Sequence, residues 1–435
     1  MNPSPLAAYQ LKLRSLWVLL LVFLCAAAQA QFRVDVSGVG MKQLPIAVTP
    51  FRGEDAAVQK PSLIARADLE RSGQFVTLAT DGTVLDELAR PNLSALRQQG
   101  AQSVVTGSVT RLVDGRYDLR FRLWDVVQNQ DLGGEQYTVA PDSLRWASHR
   151  MADYIFEKLT GDRGAFATRI AYVTRSAKGY NLWVAEADGE NAKSAFSSAE
   201  PIISPAWSPD GTQLAYVSFE TRKPVVYVHE IGSGKKRVVA NFRGNNSAPA
   251  WSADGRSLAL TLSKDGGSQL NVMDAAGGEP RRLGRTGNID TEPVYAADGR
   301  HIYFVSDASG SPQIYKMPAN GGTAERVTFA GKYNVAPAVS ADGRWLAYIS
   351  SDLDGSFRLH VLDLTVANAS PVALTQTTAD TRPSFSPNSR MIIYATQTKG
   401  QEILMTTTVD GKIQSPLAGK SGDIRQPAWG PFLRQ

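Results

Sequence analysis

The sequence predicts an all-β six-bladed propeller in its C-terminal part, preceded by a small α/β domain, and three observations carry the prediction. Proline opens a short apolar strand at Pro205, Pro249, Pro293, Pro337, Pro383 and Pro427, with spacings of 44, 44, 44, 46 and 44 residues. Self-similarity at this period is the mark of propeller blades. Five of these strands run through a tight turn into a second strand, as in SPAWSPDGTQLAYVS (204–218) and APAVSADGRWLAYIS (336–350). The ends of the repeat region complement each other: the first unit lacks its proline strand, and the last proline strand, QPAWG (426–430), has no second strand after it.

Residues 1–30 carry positive charge at Lys12 and Arg14, an apolar run from Leu16 to Leu24 and the small-residue site Ala28-Gln29-Ala30. This is the pattern of a secretory signal, with cleavage expected between Ala30 and Gln31. The run is short of the roughly 20 apolar residues that a spanning helix needs. Cys25, the single cysteine, lies inside the signal behind Leu24, where a lipoprotein signal would place a small residue. The mature chain is therefore expected to hold no disulfide, no cysteine nucleophile and no thiolate metal site.

From residue 31 to 164 the 44-residue pattern is absent and strand-like and helix-like segments mix, which marks the α/β domain. QFRVDVSGVG (31–40) alternates like a strand and is set apart by a glycine-containing stretch, so it suits pairing with an edge strand of its own domain or of another protein. LPIAVTPF (44–51) reads as a strand and SLIARADLERSG (62–73) as a helix stopped by Gly73. SVVTGSVTRL (103–112) and YDLRFRLWDVV (117–127) form a hairpin around Asp114-Gly115. A last helix over Asp142–Leu159 places Leu144, Ala147, Met151, Ile155 and Leu159 on one face, with Gly161 after it.

The propeller occupies residues 165–435. TRIAYVT (168–174) matches a second strand, so strand 426–430 is expected to sit innermost in the first blade and close the ring, leaving no dangling blade edge. Third strands follow as LWVAE, VYVHE, LNVMD, IYKMP, LHVLD and ILMTT, and fourth strands follow polar turns, for example KRVVA from Lys236 and ERVTF from Glu325. The Asp-Gly steps at Asp210, Asp254, Asp298 and Asp342 supply the positive φ of a hairpin turn, and turn formation accounts for these aspartates in full.

No pattern of catalysis stands out. None of His149, His229, His301 and His360 has a partner at metal-ligand sequence spacing, and H-E-x-x-H, G-x-S-x-G and P-loop motifs are absent. Asp352, Asp354 and Gly355 begin like a calcium loop but lack the downstream bidentate glutamate, so a hairpin turn is the better reading. No enzyme activity, cofactor or metal is implied. The formal charge is +5, and loss of Lys12 and Arg14 with the signal leaves +3, with no basic run longer than Lys235, Lys236 and Arg237. Nucleic acid thus has no footprint.

What remains is the set of polar loops leading into the innermost strands, which a propeller gathers at one mouth of its channel. They hold Asn245, Asn246 and Ser247, then Asp290, Thr291 and Glu292, then Lys332, Tyr333 and Asn334, then Asp380, Thr381 and Arg382, and finally Asp423, Ile424 and Arg425. Loops on a rigid scaffold commonly carry binding. A small ligand or peptide held in the channel is the alternative use of the same scaffold.

The signal, the α/β domain and six P-A-W-S-P-D-G-type repeats, together with FEKLTGDRGAFATRIAYV (156–173) and QPAWGPFL (426–433), resemble the TolB family of periplasmic propeller proteins of the Tol–Pal system. The resemblance covers the whole mature chain. It implies a non-enzymatic adaptor that maintains outer-membrane integrity and supports outer-membrane invagination during cell division. It implies docking of the lipoprotein Pal over the propeller mouth, with Asn245, Asn246, Ala248, Asp290, Thr291, Glu292, Tyr333, Asn334, Thr381, Arg382 and Arg425 as the contact set. The family often has histidine where this chain has Asn245. It further implies that the C-terminal domain of TolA takes the mature N-terminus, here Gln31, Phe32, Arg33, Val34, Asp35, Val36, Ser37 and Gly38, in a switch that Pal biases. Other envelope proteins or toxins are further candidate partners, membrane association runs through partners only, and the expected state is monomeric. A rival reading, the gating propeller of an oligopeptidase, would require a further catalytic domain, whereas five residues follow Gly430.

Overall fold

The computed structural model describes residues 43–80, 82–284, 286–287, 289–351, 354–418 and 423–433. The expected signal with its cleavage at Ala30 and Gln31, and the partner-binding stretch from Gln31 to Gly38, lie outside these residues, as does Asp352. Among the described residues no helix is long and apolar enough to cross a membrane.

The α/β domain is built on one mixed sheet. β1 (Leu44–Val48) is followed by α1 (Pro61–Arg71), β2 (Phe75–Thr77), α2 (Leu93–Gln98), β3 (Ser103–Arg111) and β4 (Tyr117–Asp125). β2 and β3 both run parallel to β1, and α1 and α2 supply the crossovers that parallel pairing demands. Pro61 opens α1, where its missing N–H costs nothing. At α2 the Asn92 side chain accepts the Ala95 N–H at 3.1 Å, a cap that satisfies one of the free donors of the first turn. β3 and β4 pair without a break from Ser103↔Asp125 to Arg111↔Tyr117, and β5 (Gln130–Gly133) and β6 (Gln136–Val139) both pair with β4. The short strands β2, β5 and β6 have no counterpart in the sequence reading, since three or four residues give no alternation to detect.

A last helix, α3 (Leu144–Thr160), follows a 3-10 turn at Pro141–Ser143. Of the expected stripe, Leu144, Ala147, Met151 and Ile155 are buried and Leu159 is half-buried, and Ser148, His149, Ala152 and Phe156 are buried with them. A face that wide has neighbours on two sides.

The rest of the chain forms six four-stranded antiparallel blades. The innermost strand of the first blade, Asp423–Trp429, pairs with Arg169–Ser176, so the two ends of the repeat close the ring as their complementarity predicts. In the third, fourth and fifth blades the outer strands shrink to Arg281–Arg282, Glu325–Arg326 and Val372–Ala373, shorter than the run expected from Glu325. Short outer edges offer little template for pairing with another chain.

Blade-to-blade packing repeats with the sequence. Second-strand aromatics Tyr172, Tyr216, Phe304, Tyr348 and Tyr394 are all 0–1% exposed. The tryptophan of the P-A-W strand ties each of two blades to the one before it: Trp207 Nε1 donates to the Ala428 carbonyl and Trp251 Nε1 to the Ala206 carbonyl, both at 3.1 Å. The hairpin aspartates form the turns expected of them, with Asp210, Asp254, Asp298 and Asp342 each accepting the backbone N–H two residues on.

The described residues within 43–158 and 162–433 cluster as one compact unit. α1 meets the sixth blade closely at its C-terminal end, where Gly73 has φ 73° and an added Cβ would come within 2.9 Å of the Thr408 methyl. Only glycine suits both the left-handed turn and the contact.

Candidate functional site at the channel mouth and the domain junction

The channel wall is made by the residues that precede the blade prolines. Ser204, Ala248, Glu292, Ala336, Arg382 and Gln426 have φ of 55, 50, 52, 53, 49 and 55°, a left-handed conformation that non-glycine residues rarely adopt. Each marks a register shift between innermost and second strand. The proline that follows has no N–H to lose to the disrupted ladder, which is why Pro recurs there. The cavity these strands line holds about 440 Å³.

Polar side chains of the same ring bridge neighbouring blades and span the channel. Ser204 N–H donates to Gln426 Oε1 at 3.0 Å, and Ala336 N–H donates to Glu292 Oε2 at 2.7 Å. Arg382 donates from Nη2 to Ser204 Oγ at 3.2 Å and lies 3.6 Å from Glu292 Oε1, so one guanidinium of the sixth blade reaches across the channel to the second and fourth blades. Glu292 and Arg382 also border a second cavity of about 430 Å³, with Tyr333, Val335, Ile349 and Phe357 around it. Tyr333 and Phe357 meet edge to face at 6.0 Å and are both 39% exposed.

The expected contact residues divide into two groups. Asn245, Tyr333 and Thr381 are exposed, and Thr291, Glu292, Arg382 and Arg425 are half-buried. Arg425 pairs with Glu402 and, at 3.5 Å, with Asp423. Asn246, Ala248, Asp290 and Asn334 are instead buried, which corrects the expectation that their side chains offer contact surface. Asn246 Oδ1 accepts the Phe242 N–H, Asp290 Oδ2 accepts the Thr286 N–H, and Asn334 Nδ2 donates to the Ala330 carbonyl. Each binds the residue four positions earlier and so shapes the loop entering its blade. The spacing was visible: an Asn or Asp stands three residues before Pro249, Pro293, Pro337 and Pro383.

A second constellation, missed by sequence reasoning, joins the α/β domain to the first blade. His149 on α3 is 0% exposed, and its Nδ1 lies 2.6 Å from Asp68 Oδ2 on α1. Its Nε2 faces Glu186 Oε2 at 3.4 Å and Asp188 Oδ2 at 3.5 Å, at the end of the third strand of the first blade and the turn after it. Arg145, one helical turn before His149, pairs with Glu186 at 3.1 Å and with Asp188, and Arg71 pairs with Asp68 at 2.8 Å. Asp153, one turn after His149, accepts the Phe166 and Ala167 N–H groups at 2.7 and 3.0 Å. Burial alone would push the His149 imidazole down, but Asp68, with Glu186 and Asp188, outweighs it and raises it to about 10. Burial lifts the Asp153 carboxyl to about 7, against the two backbone donors. Burial would also raise Asp188, but His149 and Arg145 hold it below the ordinary carboxylate range. The available signal was Arg145, His149 and Asp153 at steps of four on one face of a helix.

Comparison with known proteins gives one consistent answer. The family described as TolB beta propeller domain matches residues 156–433, and that described as TolB amino-terminal domain matches residues 32–132. The Tol-Pal system protein TolB of Albidiferax ferrireducens is 68% identical over 425 residues, covering 98% of this chain and 99% of the relative. That of Dechloromonas aromatica is 57% identical over 421 residues, covering 97% and 98%. The crystal structure of TolB from Acinetobacter baumannii superposes with a TM-score of 0.83 at 35% identity, over 90% of this chain and 97% of that one.

Proposed function

The chain belongs to the TolB family, and from that membership we propose that it is a non-enzymatic periplasmic adaptor of the Tol–Pal system. The lipoprotein Pal docks over the propeller mouth, and the C-terminal domain of TolA takes the mature N-terminus from Gln31 to Gly38. Through these partners the protein maintains outer-membrane integrity and supports outer-membrane invagination in cell division. It works as a monomer without a cofactor and reaches membranes only through its partners.

The observation that carries the reading is the arrangement at the mouth. Asn245, Thr291, Glu292, Tyr333, Thr381 and Arg382 come from four successive blade entries and present accessible polar and aromatic surface on a rigid ring. Tyrosine and arginine anchors in pockets commonly supply much of the energy of a protein interface, and Tyr333 and Arg382 both border the cavity of about 430 Å³. The exchange between resting and released N-terminus requires Pal to prefer one state, since a ligand shifts an equilibrium only by its differential affinity.

Calorimetry of the purified mature protein with the periplasmic domain of Pal tests the reading, beside a Thr291→Arg variant. Thr291 touches the Thr261 hydroxyl at 3.3 Å at the rim, so a long cation there obstructs docking while the core stays intact. Micromolar or tighter binding is expected, with at least tenfold loss in the variant at an unchanged Tm. No binding by the native protein would favour instead a small ligand or peptide in the channel, for which the 440 Å³ cavity is the supporting observation.

A further inference from the structure

We propose that the domain junction holds one divalent metal ion, zinc by the chemistry of its donors, between His149 of α3 and Glu186 and Asp188 of the first blade. The site is separate from the channel mouth and independent of the adaptor reading. It would clamp the α/β domain to the propeller.

Geometry is the first argument. His149, Glu186 and Asp188 each offer one donor atom, and the three lie within 4.8 Å of one another. The Nε2–Oε2 and Nε2–Oδ2 separations are 3.4 and 3.5 Å, long for charge-assisted hydrogen bonds, which run at about 2.7–2.9 Å. They match the edge of a tetrahedron whose metal–ligand bonds are about 2.0–2.2 Å, which is roughly 3.3–3.6 Å. His149 Nε2 is buried and makes no hydrogen bond, and Glu186 Oε2, buried beside it, is met by the Arg145 guanidinium at 3.1 Å. An unbonded nitrogen on a wholly buried imidazole, aimed at two carboxylates, is what a missing shared partner leaves behind.

The surroundings are those of a metal-ligating histidine. Such a ring normally gives its other nitrogen to a carboxylate, which fixes tautomer and orientation. Here Nδ1 is held by Asp68 at 2.6 Å, and Asp68 is itself held by Arg71. Arg145 lies against both candidate carboxylates and would serve as their outer partner, as ligating carboxylates usually have one. Charge agrees. With a neutral imidazole, the carboxylates of Asp68, Glu186 and Asp188 face the guanidiniums of Arg71 and Arg145, and Asp153 adds a further negative charge as it ionises, leaving one to two negative charges for a divalent ion to balance. Three protein ligands leave a fourth position for water, and Arg145, Asp153 and Glu186 line a cleft of about 1500 Å³ that gives the ion a way in.

The test uses the untagged, chelator-stripped mature protein, titrated with ZnCl₂ by calorimetry and with CoCl₂ by visible absorption. One zinc per chain with sub-micromolar Kd, and the intense visible bands of four-coordinate cobalt, are expected. Glu186→Gln, which keeps shape and can still hydrogen-bond, should fold and lose at least 100-fold in affinity together with the cobalt bands. Asp68→Asn should lose about 10–100-fold, as outer partners do. His149→Ala is a third arm only if its melting curve shows it folded. Absence of saturable binding, weak bands of six-coordinate cobalt, or unchanged affinity in Glu186→Gln would each overturn the proposal. The junction would then be an ion cluster balanced by protons alone.

Discussion

His149 couples a single imidazole to the stability of the whole junction, and the sign of the coupling can be worked out. In chelator-treated protein its folded value of about 10 lies above the ordinary 6.5, so folding favours the protonated ring. That contribution is complete below pH 6.5, erodes between 6.5 and 10, and is lost above 10. Asp153, raised to about 7 from 3.8, acts in the same direction: its protonated form is favoured, and its contribution is complete below 3.8 and lost as pH rises through 7. Metal-free protein should therefore grow steadily less stable toward alkali across this range. Urea midpoints followed by tryptophan fluorescence at about pH 6, 8 and 10 measure it, and His149→Gln should flatten the upper part of the profile. An unchanged midpoint from 6 to 10 in the native protein would show that the buried imidazole is neutral in the fold.

Among the elements, the closing strand Asp423–Trp429 has the largest consequence for its length. Trp429 is 8% exposed, packs with Ile170, Tyr172 and Ile393, and donates from Nε1 to Thr168 Oγ1 at 2.9 Å. Trp429→Ala should cost about 3–5 kcal/mol in denaturant unfolding, the range for a buried large aromatic. It should also raise aggregation more than Trp251→Ala does, because only Trp429 holds a strand whose release bares the edge of the first blade. Equal aggregation of the two variants would deny the closure its special role. This strand was legible in the sequence, as were the blade count and the hairpin turns, because proline spacing, alternation and Asp-Gly steps act through neighbours in the chain. β2, β5 and β6 were not, being too short to show a period. Asn246, Asp290 and Asn334 were read as surface because polar residues in loops usually face water, whereas their spacing before proline reflects a loop-tying bond. Glu186 and Asp188 carry no local mark at all. Their partner His149 lies 37 and 39 positions earlier, and only the packing of α3 against the first blade brings them together.

For the molecule as a whole, the question is whether the α/β domain and the propeller melt together. Their contact is unusually rich in buried charge: Arg145 side-chain exposure is 17%, and that of Glu186 and Asp188 is 11% each. A buried pair that loses one partner leaves an unmatched charge, which costs about 3–5 kcal/mol, more than the loss of a surface pair by a wide margin. That cost falls on the interface alone, since α3 and the first blade each keep their own apolar contacts. The native protein should then show one calorimetric transition, and Arg145→Ala should split it, with the smaller domain melting first. The comparison is Arg390→Ala, which removes a half-exposed pair with Asp162 and should leave a single transition shifted by no more than about 1 kcal/mol in stability. Two transitions already present in the native protein would mean that the domains are thermodynamically separate. In that event occupation of the mouth could not be transmitted to the α/β domain through the junction, because coupling between distant sites requires a shared element whose equilibrium both of them bias.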